Sequence, residues 1–153
     1  SLGKNDAING DAIDLSFADD TVIADSTIYL CGDKGISIGE KSKPKVIGNK
    51  IVKCDIGIAV KDQSQALIEN NVIVANNTGV ALYLKKPIFT VGGRAQMIKS
   101  VIWGNKNQVQ VDNLSSFVIK DSVVEGGYQG ENIGAERPDF SQLLPAYILQ
   151  FID

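Results

Sequence analysis

The stretch Gly32–Ser42, GDKGISIGEKS, decides the fold. Its Gly-Asp-Lys-Gly opening is turn chemistry, because glycine reaches backbone angles other residues avoid and aspartate bonds nearby backbone amides. Ile36, Ser37 and Ile38 then alternate apolar and polar, the period of a strand with one face buried. A phosphate loop would need the GxxxxGK[ST] spacing ahead of a helix, and the stretch has neither.

The same pattern returns along the chain. AIDLS (12–16), GISIG (35–39), GIAVK (57–61), GVALY (79–83) and QVQVD (108–112) align on Ile13, Ile36, Ile58, Val80 and Val109, at steps of 23, 22, 22 and 29 residues. A second column follows each first one: Val22-Ile23, Val46-Ile47, Leu67-Ile68, Met97-Ile98 and Val118-Ile119. A third holds Thr27-Ile28, Ile51-Val52, Val72-Ile73, Val101-Ile102 and Val123-Val124. Three short β-type segments per period, separated by turn residues, predict an all-β, single-stranded parallel β-helix of about five coils with three short strands each. Coils about 4.8 Å apart give a stack about 24 Å tall. Gly32-Asp33 opens one coil, and Asp55 and Asn77 open the next two in the same way. Leucine-rich repeats have a similar period, but their asparagine follows closely on the strand triplet, whereas Asn49 and Asn70 come ten or more residues after it. A TIM barrel or Rossmann fold needs helices between its strands, and no stretch before residue 137 has that length.

Composition narrows the function. Among 153 residues, 44% are apolar and the net charge is −3, so one globular domain is expected and no basic excess recruits nucleic acid. No apolar run approaches the roughly 20 residues of a membrane helix. Histidine is absent, which removes imidazole catalysis and the usual histidine ligands of catalytic zinc. Arginine occurs only at Arg94 and Arg137.

Several columns and departures from the repeat carry their own expectations. Asp25, Asn49, Asn70, Ser100 and Asp121 read as one corner ladder of turn-forming polar residues, with a calcium site the alternative. Cys31 and Cys54 end consecutive coils and should stack, first as free thiols in or near the core and alternatively as a disulfide. Two cysteines alone imply no metal. The fourth coil is seven residues longer than its predecessor, and the extra material lies in KKPIFTVGGRAQ (85–96), where loops on rigid scaffolds often bind. Coils therefore occupy 1–127, and 128–153 forms a tail that caps the open end of the stack, with a short helix. The chain reads as a segment of a longer coil stack, because KNDAINGDAIDLS is already in register.

The segments DAIDLSFADDTVIADSTI, GDKGISIGEKS, IGIAVKDQS and VALYLKKPIF resemble the right-handed parallel β-helix repeat regions of bacterial secreted or surface proteins, over roughly residues 5–127. Some such regions occur beside spore-coat-protein-H-like modules. The wider superfamily is the pectate-lyase-like fold, which includes polysaccharide lyases, pectin hydrolases and uronate epimerases. The resemblance implies right-handedness and a secreted or cell-surface location. It carries no activity over. The pectin-hydrolase pattern of clustered aspartates with His-Gly is broken, so Asp19-Asp20 reads as a solvated turn. An epimerase-like His-Tyr pair has only Tyr83. A pectate-lyase arginine base has only Arg94, placed in the insertion.

One surface survives these exclusions. The outward and exit positions of the first strand column are Asp14, Ser16, Ser37, Glu40, Lys61, Asp62, Tyr83 and Lys85, with Lys61 between the coils that carry Glu40 and Tyr83. Lys61 suits a uronate carboxylate, Tyr83 a sugar ring or proton transfer, and Asp14 or Glu40 a proton or a calcium ion. The bland alternative is a surface ladder of compensating charges. Asp14, Glu40, Lys61, Asp62, Tyr83, Lys85 and Arg94 are thus the candidate ligand-binding residues, and Lys61 and Tyr83 the catalytic candidates. No cofactor beyond that calcium ion is implied. The first expectation is a non-catalytic scaffold or binding segment of a larger extracellular bacterial protein, with polysaccharide and other domains of its own chain as partners. A polysaccharide lyase or uronate epimerase fragment is the second. An assembly module, dimerising through coil ends or the 137–153 tail, is the third.

Overall fold

The computed structural model describes residues 10–152. Coil one contains β1 (Ile13–Ser16), β2 (Val22–Ala24) and β3 (Thr27–Tyr29); coil two contains β4 (Lys34–Gly39), β5 (Lys45–Ile47) and β6 (Lys50–Val52). Coil three contains β7 (Ile56–Lys61), β8 (Gln65–Glu69) and β9 (Val72–Val74); coil four contains β10 (Thr78–Tyr83), β11 (Arg94–Ile98) and β12 (Val101–Trp103). Coil five is β13 (Asn107–Val111) and the long β14 (Ser116–Val124), and β15 (Glu131–Gly134) pairs onward from β14, so the stack continues past Gly127. Face 1 is the parallel sheet β1-β4-β7-β10-β13. Face 2 runs β2-β5-β8-β11 and face 3 runs β3-β6-β9-β12, and both end on β14, whose two halves join them.

The aliphatic columns stack in the register read from the sequence on face 1: Ile13, Ile36, Ile58, Val80 and Val109 are successive partners. Faces 2 and 3 differ by a residue in some coils. The inward columns are Ile23-Val46-Ile68-Met97-Ile119 and Ile28-Ile51-Ile73-Ile102-Val124, so either member of an aliphatic doublet can be the buried one. These side chains form the inner core, and nearly all are fully buried. Glycines on face 1 permit the coils to close: a Cβ on Gly57 would lie 2.6 Å from the Gly79 carbonyl oxygen, and one on Gly79 2.6 Å from that of Gln108.

Each corner has its own hydrogen-bond ladder. Between faces 2 and 3 the chain turns through left-handed residues, Asp25, Gly48, Asn70, Lys99 and Asp121. The following residue points inward: Asn49, Asn71, Ser100 and Ser122 bond backbone and side chains one coil away. The column read from sequence as Asp25-Asn49-Asn70-Ser100-Asp121 therefore mixes two ladders. Composition misplaced it, because both ladders use turn-type residues. Between faces 3 and 1 the inward ladder is Cys54, Asn76 and Asn105, with each asparagine Oδ1 accepting the amide of the coil before at 2.9 and 2.8 Å. Cys31 precedes them in this column and is joined to Cys54 by a disulfide, with Cα atoms 4.4 Å apart. Free thiols, the first expectation, are replaced by the alternative, because in-register stacking brings the two residues within bridging distance.

The tail lies along a flank. Its 3-10 turn Phe140–Gln142 and the short helix α1 (Ala146–Leu149) put Phe140, Leu144 and Ile148 onto the outer side of face 3, against Val52, Val72, Val74 and Trp103. Tyr29 of coil one meets Tyr147 and Phe151, with ring centroids 5.9 and 6.1 Å apart. The expected cap over the open end is thus corrected to a strap along the side. The apolar surface needing cover was the outside of face 3, where Val52, Val74 and Trp103 stack outward.

Candidate functional site

Face 1 collects most of the residues singled out from sequence. Its outward floor is made of small residues, Ser37, Ala59 and Ala81, which are in register and buried. Lys61 pairs with Tyr83 in the next coil, and its ammonium lies back across the floor to donate to Ser37 Oγ at 2.9 Å. Lys61 is 7% exposed. Burial, with the like charges of Lys34 and Lys85, holds its amine below the ordinary lysine value, while Asp14 and Asp11 pull the other way. Burial likewise raises the Tyr83 phenol. Lys34 is raised, since its bond to Asp33 and the fields of Asp11, Tyr83 and Asp33 outweigh burial. Asp33 thus partners Lys34 through its carboxylate, at 3.0 Å. Asp14 is exposed on the coil-one edge of this face.

Two of the singled-out residues hold the insertion. Asp62 is 1% exposed, and its Oδ1 accepts the amides of Lys85 and Lys86 at 2.7 and 3.0 Å. Asp112 does the same for Leu84 at 2.9 Å and for Ser115. Glu40 pairs with Lys86 at 2.9 Å, and that hydrogen bond holds its carboxyl below the ordinary value. Between these anchors the chain forms the 3-10 turn Pro87–Phe89 and returns through Gly92 and Gly93. A Cβ on Gly93 would collide with the Val60 backbone, so the insertion closes tightly against coil three.

Arg94 does not join the others. It opens β11 on face 2, in register with Gln65 and Ser116, and the sequence placement inside the insertion is corrected. There it lines a groove of about 480 Å³ together with Lys43, Lys45, Gln65, Gln96 and Ser116, with Leu67 and Val118 as its outward apolar side chains, while Ala66 and Ala95 beneath belong to the inner core. A second depression of about 430 Å³ shares Lys43 and Gln65 and continues to Phe17, Asp19, Lys41 and Gln63. The two run from coil one to coil five. No carboxylate lines the first, and Lys43, Lys45 and Arg94 form no ion pair among the described residues. Sequence reading missed this groove except for Arg94. The signal was a polar column, Lys43, Gln65, Arg94 and Ser116, three residues ahead of the inward aliphatics Val46, Ile68, Met97 and Ile119, and the insertion hid that Arg94 belongs to it.

Residues 2–123 match the sequence description of a right-handed β-helix region. The chain belongs to the right-handed β-helix family. No curated protein and no solved structure matches it. The coils of this β-helix supply a rigid scaffold with two differently built outer faces: a closed floor carrying one buried amine on face 1, and an open cationic groove on face 2. Among the described residues no group of three cysteine, aspartate or glutamate side chains converges on a metal-sized site, and no helix is long and apolar enough to cross a membrane.

Proposed function

We propose that this β-helix is a non-catalytic binding segment of a larger extracellular bacterial protein and that face 2 holds an acidic polysaccharide. The groove carries the proposal. Lys43, Lys45 and Arg94 are exposed and unpaired by carboxylates among the described residues, while Gln65, Gln96 and Ser116 offer donors and acceptors to hydroxyls. Lys43 and Lys45 in coil two and Arg94 in coil four, two coil spacings of about 4.8 Å away, suit an extended polymer carrying carboxylates or sulfates along its length. The outward Leu67 and Val118 suit the C–H faces of the rings. The disulfide fits an oxidising compartment.

The test is a glycan array, with and without calcium, followed by titration of alginate oligosaccharides and of neutral dextran. Alginate should bind and dextran should not. Lys45→Ala and Arg94→Ala should each weaken alginate binding about threefold to tenfold, with the loss shrinking as salt rises. Equal binding of dextran, or of an oligonucleotide, would refute the acidic-glycan assignment.

The second reading, a uronate lyase or epimerase on face 1, rests on Lys61. An amine held below its ordinary value is deprotonated at lower pH than an exposed lysine and so is the better base candidate. Tyr83 beside it offers a phenol for return of a proton. Incubation with uronate polymers, followed by ultraviolet absorbance of the unsaturated product and by epimer composition, tests it. Turnover lost in Lys61→Met supports it; no turnover on any uronate polymer refutes it.

A further inference from the structure

Phe17 breaks the pattern of its corner. In register above Ser16-Gly39, the equivalent turn residue of coil two is Glu40, and the Phe17 amide donates to the Glu40 carbonyl at 3.0 Å. Phe17 has φ 52, a left-handed conformation unfavourable for a bulky side chain, and is 63% exposed. An aromatic ring held on the surface by a costly backbone is better explained by what it touches than by what it stabilises. Among the described residues its ring neighbour is Phe89 of the insertion, centroids 6.4 Å apart and planes tilted by 50°. Phe89 is buried, so it backs the Phe17 ring and leaves its other face open.

That ring forms a wall of the second depression, opposite polar groups. Asp19, Lys41, Lys43 and Gln63 line the same space, and Lys43 leads directly into the cationic groove. One flat apolar face set against an acceptor, two cations and an amide is the chemistry of a pyranose subsite. The C–H face of the sugar stacks on the ring, its hydroxyls meet Asp19 and Gln63, and an acidic substituent meets Lys41 or Lys43.

We propose that Phe17, braced by Phe89, is an aromatic platform for one pyranose unit at the coil-one end of the face 2 groove. The proposal rests on the assignment of that groove to an acidic glycan, and it adds an end subsite and a salt-independent contribution. It also gives the seven-residue insertion a task, since Phe89 is the residue the insertion delivers to the ring.

The experiment titrates alginate oligosaccharides against wild type, Phe17→Ala, Phe17→Trp, Phe17→Gly and, as a control at an exposed left-handed corner away from face 2, Leu30→Ala. Phe17→Ala should weaken binding roughly tenfold, equivalent to about 1.4 kcal/mol, at low and at high salt alike. Phe17→Trp should keep or improve affinity. Its introduced indole should change fluorescence on titration, while the native Trp103 lies under the tail on face 3 and stays silent. Phe17→Gly should lose binding as Phe17→Ala does while the protein is at least as stable, because glycine tolerates the left-handed turn. Leu30→Ala should bind as wild type. If Arg94→Ala weakens binding and Phe17→Ala does not, the platform is wrong and the groove stands. If wild type binds no alginate, groove and platform fall together.

Discussion

Asn70 and Asn71 are adjacent and identical in chemistry, yet the structure gives them opposite roles. Asn71 is 1% exposed and works as a buried rung. Its Oδ1 accepts the backbone amide of Asn49 at 2.9 Å and the Asn49 side-chain amide at 3.1 Å. Its Nδ2 donates to the Val46 and Glu69 carbonyls at 2.8 and 3.1 Å. Asn71→Ala removes all of these at once. The Asn49 amide and the Val46 carbonyl face the interior and water does not replace their partner. At about 1–3 kcal/mol for each buried group left unpaired, the substitution should cost about 3–5 kcal/mol. Asn70 is exposed with φ 56. Asn70→Ala should cost only the left-handed backbone, about 1 kcal/mol, and Asn70→Gly should be within about 0.5 kcal/mol of wild type. Urea unfolding followed by far-ultraviolet circular dichroism gives the midpoints, with an unchanged slope required for comparison. A loss for Asn71→Ala no larger than for Asn70→Ala would refute the ladder as a source of stability.

Three further outcomes are expected. Ile58→Ala, in the fully buried face 1 column, should cost about 2–5 kcal/mol in the same urea assay, through lost burial and the cavity left behind. Reduction of the Cys31–Cys54 bridge reopens a 23-residue separation and should cost about 3 kcal/mol, read as a midpoint shift with reductant that a Cys31→Ser, Cys54→Ser double variant does not show. Lys61 has a folded value below its unfolded 10.5, so the unfolded chain holds the extra proton in that interval. Its contribution to stability should therefore rise with pH from the folded value up to about 10.5, and comparison with Lys61→Met at each pH isolates it from Lys34 and Lys86, which titrate with the opposite sign.

How much of the site was legible depends on the kind of neighbour. Lys61 beside Tyr83 followed from the first-column register alone, since strand partners in a parallel stack are fixed by the repeat length. The buried state of Lys61 was not legible. It depends on the small Gly39 and Ser37 of coil two, over which the side chain reaches back to bond Ser37. Asp62 looked like a surface ligand because aspartate at a turn usually faces water; the returning insertion covered it and took its carboxylate for the amides of Lys85 and Lys86. Arg94 was found as a cation and misplaced as a loop residue, because the length of the insertion hid where β11 begins.

By itself the sequence determined the coil period, the parallel pairing and the buried column of face 1, because a repeat near 22 residues with triplets alternating in and out has one way to bury its aliphatics. Tertiary structure decided what lies outside the coils. The tail crosses face 3 instead of the open end, although VIV at Val72–Val74 and VIW at Val101–Trp103, apolar on both sides, already carried the mark of strands covered twice. It also decided which face stays open: face 3 is covered by the tail, face 1 is closed by Lys61 over its small floor, and face 2 keeps its cations in water. The physical reason is one of range. Alternation and period act between neighbours in the chain and between one coil and the next, whereas a strap, an insertion and a groove depend on segments that meet only after the stack has formed.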